Sequence, residues 1–202
     1  MLAGLLVAAG PWPAFAQPAA AVDGQPSINA PPLTHDDKGR VVVHATRITE
    51  PIKIDGRLDE GAYARVPAIT SFIQQEPQAG APVTEKTEAW VMFDDKFVYV
   101  ACRCWDEHAD RIVANDMRRD STNLRLNDSF TVLLDTFHDQ RDGVAFGVTP
   151  IGGIWDAVMS EVRNPSMDWN AVWTGEGGSF EGGWSAEIAI PFKSLRYNPG
   201  RR

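Results

Sequence analysis

Hydrophobic and polar positions alternate in short runs, and each run stops at Gly, Pro, Asn or Asp. Thr87 to Phe93 alternates, Asp94-Asp95-Lys96 is a turn, and Phe97 to Cys104 is a second run, so the pattern predicts a hairpin. Ser129 to Asp135 and Gly143 to Thr149 predict another pair, joined by an acidic loop. Ile154 to Ser160, Ala171 to Thr174 and Trp184 to Ile190 follow as further strands, with Gly152-Gly153 and Gly182-Gly183 at turns. Upstream, Val41 opens a first strand that ends at Pro51. Short helices are predicted over Asp59 to Arg65 and Glu107 to Ile112. Such a series of short strands predicts an all-β protein, one antiparallel β-sandwich domain over residues 41–202.

Parity assigns the faces. Phe130, Val132, Leu134, Val144, Phe146 and Val148 fall on one side of the central strands and should build the core. The opposite side carries Thr131, Leu133, Ala145, Gly147 and Thr149. That side is small and weakly polar, fit either for the floor of a shallow groove or for cover by a loop. Trp184, Ala186, Ile188 and Ile190 point inward, which leaves Glu187 on the other side.

The ends of the chain read differently. Residues 1–16 carry no charge, hold a short apolar run, and finish on Ala14-Phe15-Ala16, a small-x-small pattern of signal-peptide cleavage. No basic residue precedes the apolar run, so the natural start is expected upstream. Residues 17–40 are rich in Ala, Pro, Gly and Asp without apolar periodicity and read as a flexible linker. Export to the periplasm, outer membrane or cell surface of a bacterium is the expectation. No apolar run reaches the roughly 18 residues that a membrane-spanning helix needs.

Composition narrows the chemistry. With 27 Asp+Glu against 19 Lys+Arg the net charge is -8, which argues against nucleic acid as a partner, since a phosphate-binding surface needs an excess of Lys and Arg. Cys102 and Cys104 stand two apart on one strand, poor geometry for a bridge, and read as free thiols. The four His are scattered, and no nucleophile-elbow, zincin or phosphate-loop pattern occurs. No catalytic residue is assigned. Carboxylates are plentiful, which keeps a glycosidase-type pair as an alternative.

Two constellations remain. Asp135, Asp139 and Asp142 lie in one loop and could give oxygen ligands to a structural calcium ion, or could simply pair with Arg141. The chain has 7 Trp, and Trp155, Trp169 and Trp173 stand beside Asp156, Asn164, Asp168 and Asn170. Indole faces stack on the apolar faces of sugar rings while Asp and Asn bond the hydroxyls. The candidate carbohydrate site is therefore Trp155, Trp169, Asp156, Asp168 and Asn170. The same rings could equally fill the core, and for Trp173 the core is favoured.

Several segments form one ordered series: Ile54 to Glu60, Phe72 to Pro77 with Gly80, Thr87-Glu88, Phe93 to Asp95, Tyr99-Val100, Arg119-Asp120 and Asp128. It continues through Leu134 to Phe137, Asp139, Arg141, Trp173, Gly183-Trp184, Glu187, Ile190 to Phe192 and Ser194 to Arg196. Over about residues 48–200 this series resembles the family 9 carbohydrate-binding-module-like domain at the N-terminus of large bacterial surface proteins. There the domain precedes a region thought to form an outer-membrane barrel. The resemblance implies a β-sandwich, a polysaccharide or oligosaccharide partner, structural calcium, and an accessory role to glycoside hydrolysis. Founding modules hold a sugar end between two Trp rings with Glu, Arg and Asn from central strands. Here Thr131, Gly147 and Thr149 stand at those polar positions, and the second Trp would lie beyond Arg202.

The reading is an exported, non-catalytic, carbohydrate-binding accessory module. Its domain is expected to be truncated at the C-terminus, lacking a closing strand, and to continue into an outer-membrane domain absent from this chain. A periplasmic interaction or plug-like domain without a sugar ligand, and a glycoside hydrolase, are the alternatives.

Overall fold

Alternating runs do become paired strands. A computed structural model describes residues 31–160 and 164–197; the expected signal peptide, and the linker as far as residue 30, lie outside the described residues. The strands are β1 (Leu33–His35), β2 (Val41–Val43), β3 (Thr46–Arg47), β4 (Thr87–Phe93), β5 (Phe97–Trp105) and β6 (Phe130–Leu134). They continue as β7 (Gly143–Val148), β8 (Ile154–Ser160), β9 (Asn164–Ser166), β10 (Thr174–Phe180) and β11 (Gly183–Pro191). One short helix, α1 (Gly61–Arg65), lies between β3 and β4.

Two sheets face each other. A five-stranded sheet has the order β10-β11-β5-β4-β3, and a four-stranded sheet has the order β6-β7-β8-β9. Pairing is antiparallel throughout except for two residue pairs joining β3 to β4. Between the sheets, Val98, Val100 and Cys102 of β5 and Trp184, Ala186, Ile188 and Ile190 of β11 meet Phe146 and Val148 of β7. Phe130, Val132 and Leu134 of β6 and Val144 pack against the same cluster, as their parity predicts. Each such side chain, withdrawn from water, contributes about 1.5–3 kcal/mol, and this layer is what holds the sheets together. The sandwich stands.

The five-stranded sheet has a second packed face. Trp90, Met92, Tyr99, Ala101 and Ala189 on its outer side are covered by Ile48, Ile52, Ala62, Tyr63 and Val66. The Tyr63 and Trp90 rings meet edge-on at 5.5 Å, and the Trp90 indole N–H donates to the Val66 carbonyl at 3.1 Å. Glu187, on the same side, is fully buried there.

Some elements differ from their sequence expectation. Leu33–His35, inside the expected linker, already pairs with Val41–Val43 as a separate two-stranded ribbon. The expected first strand divides at His44-Ala45 into β2 and β3. Glu107 to Ile112 contains only a 3₁₀ turn at Ala109–Arg111. Ala171 to Trp173 is irregular, and the strand begins at Thr174 and runs on through TGEGGSF, which has no hydrophobic alternation to announce it.

Candidate functional site

The five residues of the expected sugar site part company in the fold. Adjacent residues of a strand face opposite ways, so Trp155 points to the outer side of the four-stranded sheet and Asp156 to the inner side. Trp155 is buried with Leu124, Ala145 and Ala157, its ring lying over Gly147, its register partner. Asp156 is fully buried and committed. Its carboxylate accepts from Arg119, from the Trp173 indole N–H at 2.9 Å and from the Ala171 amide at 3.1 Å. Trp169 is half-buried, edge-on to Phe146 at 5.9 Å, as part of the core. Asp168 and Asn170 flank it in an exposed loop.

The small face beside β7 is largely filled by the protein itself. Ala145 and Gly147 are covered by Trp155 and Leu124, while Thr131 and Leu133 remain exposed. Thr149 is buried, and its hydroxyl accepts from the Gly153 amide across the β7–β8 turn.

The acidic loop uses its carboxylates on its own backbone. Asp135 accepts from the amides of Asp139 and Gln140, and Asp139 accepts from those of Arg141 and Asp142. The two bonds to Asp139 hold its carboxyl below the usual carboxylate range. Among the described residues no three His, Cys, Asp or Glu side chains are grouped to hold a metal ion. Cys102 and Cys104 are free thiols with sulfurs 3.8 Å apart.

A different concavity collects aromatic and charged groups. On the outer side of the five-stranded sheet the layer around α1 stops short of the end of β5, which leaves a cleft of about 420 Å³. Its floor is set by register. Gly183 pairs with Trp105 on one side and with Phe180 on the other. Gly183 has no side chain, so the two rings reach across it and meet edge-on at 5.8 Å. The adjoining row brings Arg103, Ser185 and Gly178 together in the same way.

The wall is the loop Gly56 to Asp59, and it is pinned from below. Glu187 accepts from the amides of Asp55 and Gly56 at 2.9 and 2.8 Å and from the Tyr63 hydroxyl at 2.7 Å. Burial raises the Glu187 carboxyl above its ordinary range, against the lowering effect of these donors. The Ser185 hydroxyl donates to the Gly56 carbonyl at 2.7 Å. Gly56 has φ +78, and its α-carbon comes so close to Gly177 that a Cβ would sit 2.5 Å from the Gly177 carbonyl oxygen. Only glycine fits there.

Charge in the cleft is of two kinds. Arg103 is in use: it donates to the Leu58 carbonyl at 3.2 Å, pairs with Glu88 at 3.8 Å, and lies over Trp90 and Trp105. Beside the cleft, outside its lining, Lys86 is held by Glu88 at 2.9 Å, with its ammonium 4.0 Å from the Trp105 ring centre. The side chains of Arg57, Asp59 and Glu181, by contrast, make no hydrogen bond or ion pair among the described residues. An aromatic pair with unspent polar groups can stack on a flat, weakly apolar ring and hydrogen-bond its rim. Trp105, Phe180 and Glu181 carry no sequence signal of this role. Arg57 and Asp59 belong to the Ile54–Glu60 segment, the one hint in the sequence.

No protein-family model and no curated protein matches the chain. Among solved structures it is similar to a family 9 carbohydrate-binding module from Caldicellulosiruptor kristjanssonii in complex with cellotriose. Identity is 16%, the TM-score is 0.50, and the match covers 72% of this chain and 65% of that one. A family 9 module from the same organism in complex with glucose matches at 16% identity and TM-score 0.49, over 76% of this chain and 72% of that one. The fold is thus that of a family 9 carbohydrate-binding-module-like β-sandwich.

Proposed function

We propose that this domain is a non-catalytic carbohydrate-binding module and that the Trp105 cleft is its sugar site. One observation carries the reading: a half-exposed indole, braced edge-on by Phe180, opens into a cleft whose remaining walls hold the unspent side chains of Arg57, Asp59 and Glu181. A pyranose has the matching chemistry, an apolar ring face with hydroxyls around its edge. The sandwich module that holds cellotriose supports carbohydrate as the ligand class. The uncharged first sixteen residues with Ala14-Phe15-Ala16 support export, and so an accessory role in polysaccharide breakdown or uptake at a bacterial surface.

One stacked ring with two or three hydrogen bonds gives a Kd on the order of 10⁻⁴ to 10⁻³ M. The test is a titration with glucose, cellotriose and a broad oligosaccharide panel, followed by Trp fluorescence. Saturable quenching that is lost in Trp105→Ala and kept in Trp169→Phe is the expected result. Silence across the panel would remove the sugar reading in favour of an interaction domain, and saturation that survives Trp105→Ala would place the sugar elsewhere.

A further inference from the structure

Behind the cleft floor, on the opposite face of β5, lie the two thiols. Arg103 and Trp105 point outward to the cleft, so strand parity turns Cys102 and Cys104 inward, to the layer between the sheets. Their sulfurs are 3.8 Å apart. The two differ in access. Cys102 is fully buried, with Ala186 and Ala89 beside it in register, whereas Cys104, next to the end of β5, is only partly covered. They differ in acidity as well. Hydrogen bonds from the Cys102 thiol and from Thr87 hold the Cys104 thiol below its ordinary value, and burial pushes that of Cys102 up. An accessible, acidified thiol beside a buried one is the arrangement of an attacking and a resolving cysteine.

We propose that Cys102 and Cys104 are a reversible redox pair, closed by a small disulfide oxidant, and that closure resets the floor of the Trp105 cleft. The Cys104 thiolate attacks one sulfur of the oxidant and breaks its S–S bond. One thiolate is expelled, which picks up the proton Cys104 had released, and Cys104 is left in a mixed disulfide. The Cys102 sulfur then attacks that of Cys104, and its proton passes to the second thiolate expelled. Two protein thiols become one disulfide, and the oxidant, having taken up two electrons, leaves as two thiols. The product is strained. Two residues of strand span roughly 6.7 Å, near the upper limit for bridged α-carbons, and the sulfurs must close to about 2 Å. Strain keeps the bond easy to reduce. It also falls on the one residue between the cysteines. Arg103 donates to the Leu58 carbonyl in the wall and lies over Trp105, so contraction of β5 around it moves both contacts.

The test treats the folded protein with 2-hydroxyethyl disulfide and follows intact mass and the amide NMR spectrum. Wild type should lose about 2 Da and keep no adduct, and dithiothreitol should restore the mass. Cys102→Ala should stop as a stable single adduct. Cys104→Ser should not react while folded, since its remaining thiol is buried. Shifts on oxidation should reach beyond the two cysteines to Arg103, the Trp105 indole and Leu58. A wild type that stays unchanged, keeps an adduct or links two chains would overturn the redox pair, as would an adduct on folded Cys104→Ser. A loss of about 2 Da with shifts confined to the two cysteines would overturn the effect on the cleft. None of these readouts involves a glycan, so they are independent of the sugar reading.

Discussion

The Trp155 indole lies directly on the α-carbon of Gly147, so close that a Cβ there would fall 2.2 Å from ring atoms Cε2 and Nε1. The two residues are register partners on neighbouring strands, and the missing side chain of one is the seat of the other. Gly147→Ala forces the ring off the sheet and breaks its packing on Leu124, Ala145 and Ala157. Urea denaturation should show a loss of about 3 kcal/mol, the upper part of the range for overpacking.

Asp156 is the hub of a buried set made by Arg119, Ala171 and Trp173. Asp156→Ala leaves the indole N–H and the amide without an acceptor, and Arg119, a third exposed, turns to water. The expected cost is about 3 kcal/mol by denaturant unfolding. Glycan quenching by the folded protein should keep its Kd, because this carboxylate lies between the sheets and away from the cleft.

Sequence pattern and fold agree where side chains alternate. β4, β7, β8 and β11 stand within a residue or so of their predicted limits, because turn residues bound them: Asp94-Asp95 after β4, Pro150 after β7, Gly152-Gly153 before β8 and Gly182 before β11. β10 is illegible for a physical reason. Its glycines are demanded by close approach, Gly175 to the Trp173 ring, Gly177 to the Thr149 carbonyl and Gly178 to the Gly56 carbonyl, and glycine in sequence reads as a loop. The cleft is illegible for a different one. Trp105 and Phe180 are distant in sequence and meet only because a glycine stands between them in register. Trp155 and Trp169 are clustered in sequence beside polar residues, yet strand parity seats Trp155 on Gly147 and Trp169 packs edge-on against Phe146.

Glu187 gives the pH dependence. Its carboxyl is raised in the folded state by burial, so the native protein holds that proton more tightly than the unfolded chain. Its contribution is then greatest below the ordinary carboxylate range and declines as pH rises through the raised value, because the unfolded chain ionises first. Glu187→Ala, which leaves the Asp55 and Gly56 amides and the Tyr63 hydroxyl without their acceptor, should lose about 2 kcal/mol. The gap between wild type and variant should narrow from pH 4 upward in melting experiments; a gap that widens would contradict the burial argument.

Gly56→Ala tests the wall of the cleft. It combines a left-handed backbone, φ +78, with a Cβ 2.5 Å from the Gly177 carbonyl oxygen. A loss of about 3 kcal/mol is expected, from strain and overlap together. Glycan affinity should fall in the same variant even under conditions where circular dichroism reports it folded, since the loop carrying Arg57 and Asp59 must lift away from β10.

That seam between Gly56 and Gly177-Gly178 is main chain against main chain, and Glu187 fastens it from the far side through amides rather than side chains. The loop's position is consequently independent of what Arg57 and Asp59 happen to be. Substitutions at these two positions would alter what the cleft recognises without shifting where its wall stands. The side-chain chemistry of the proposed sugar cleft and the integrity of the sandwich beneath are thus mechanically uncoupled.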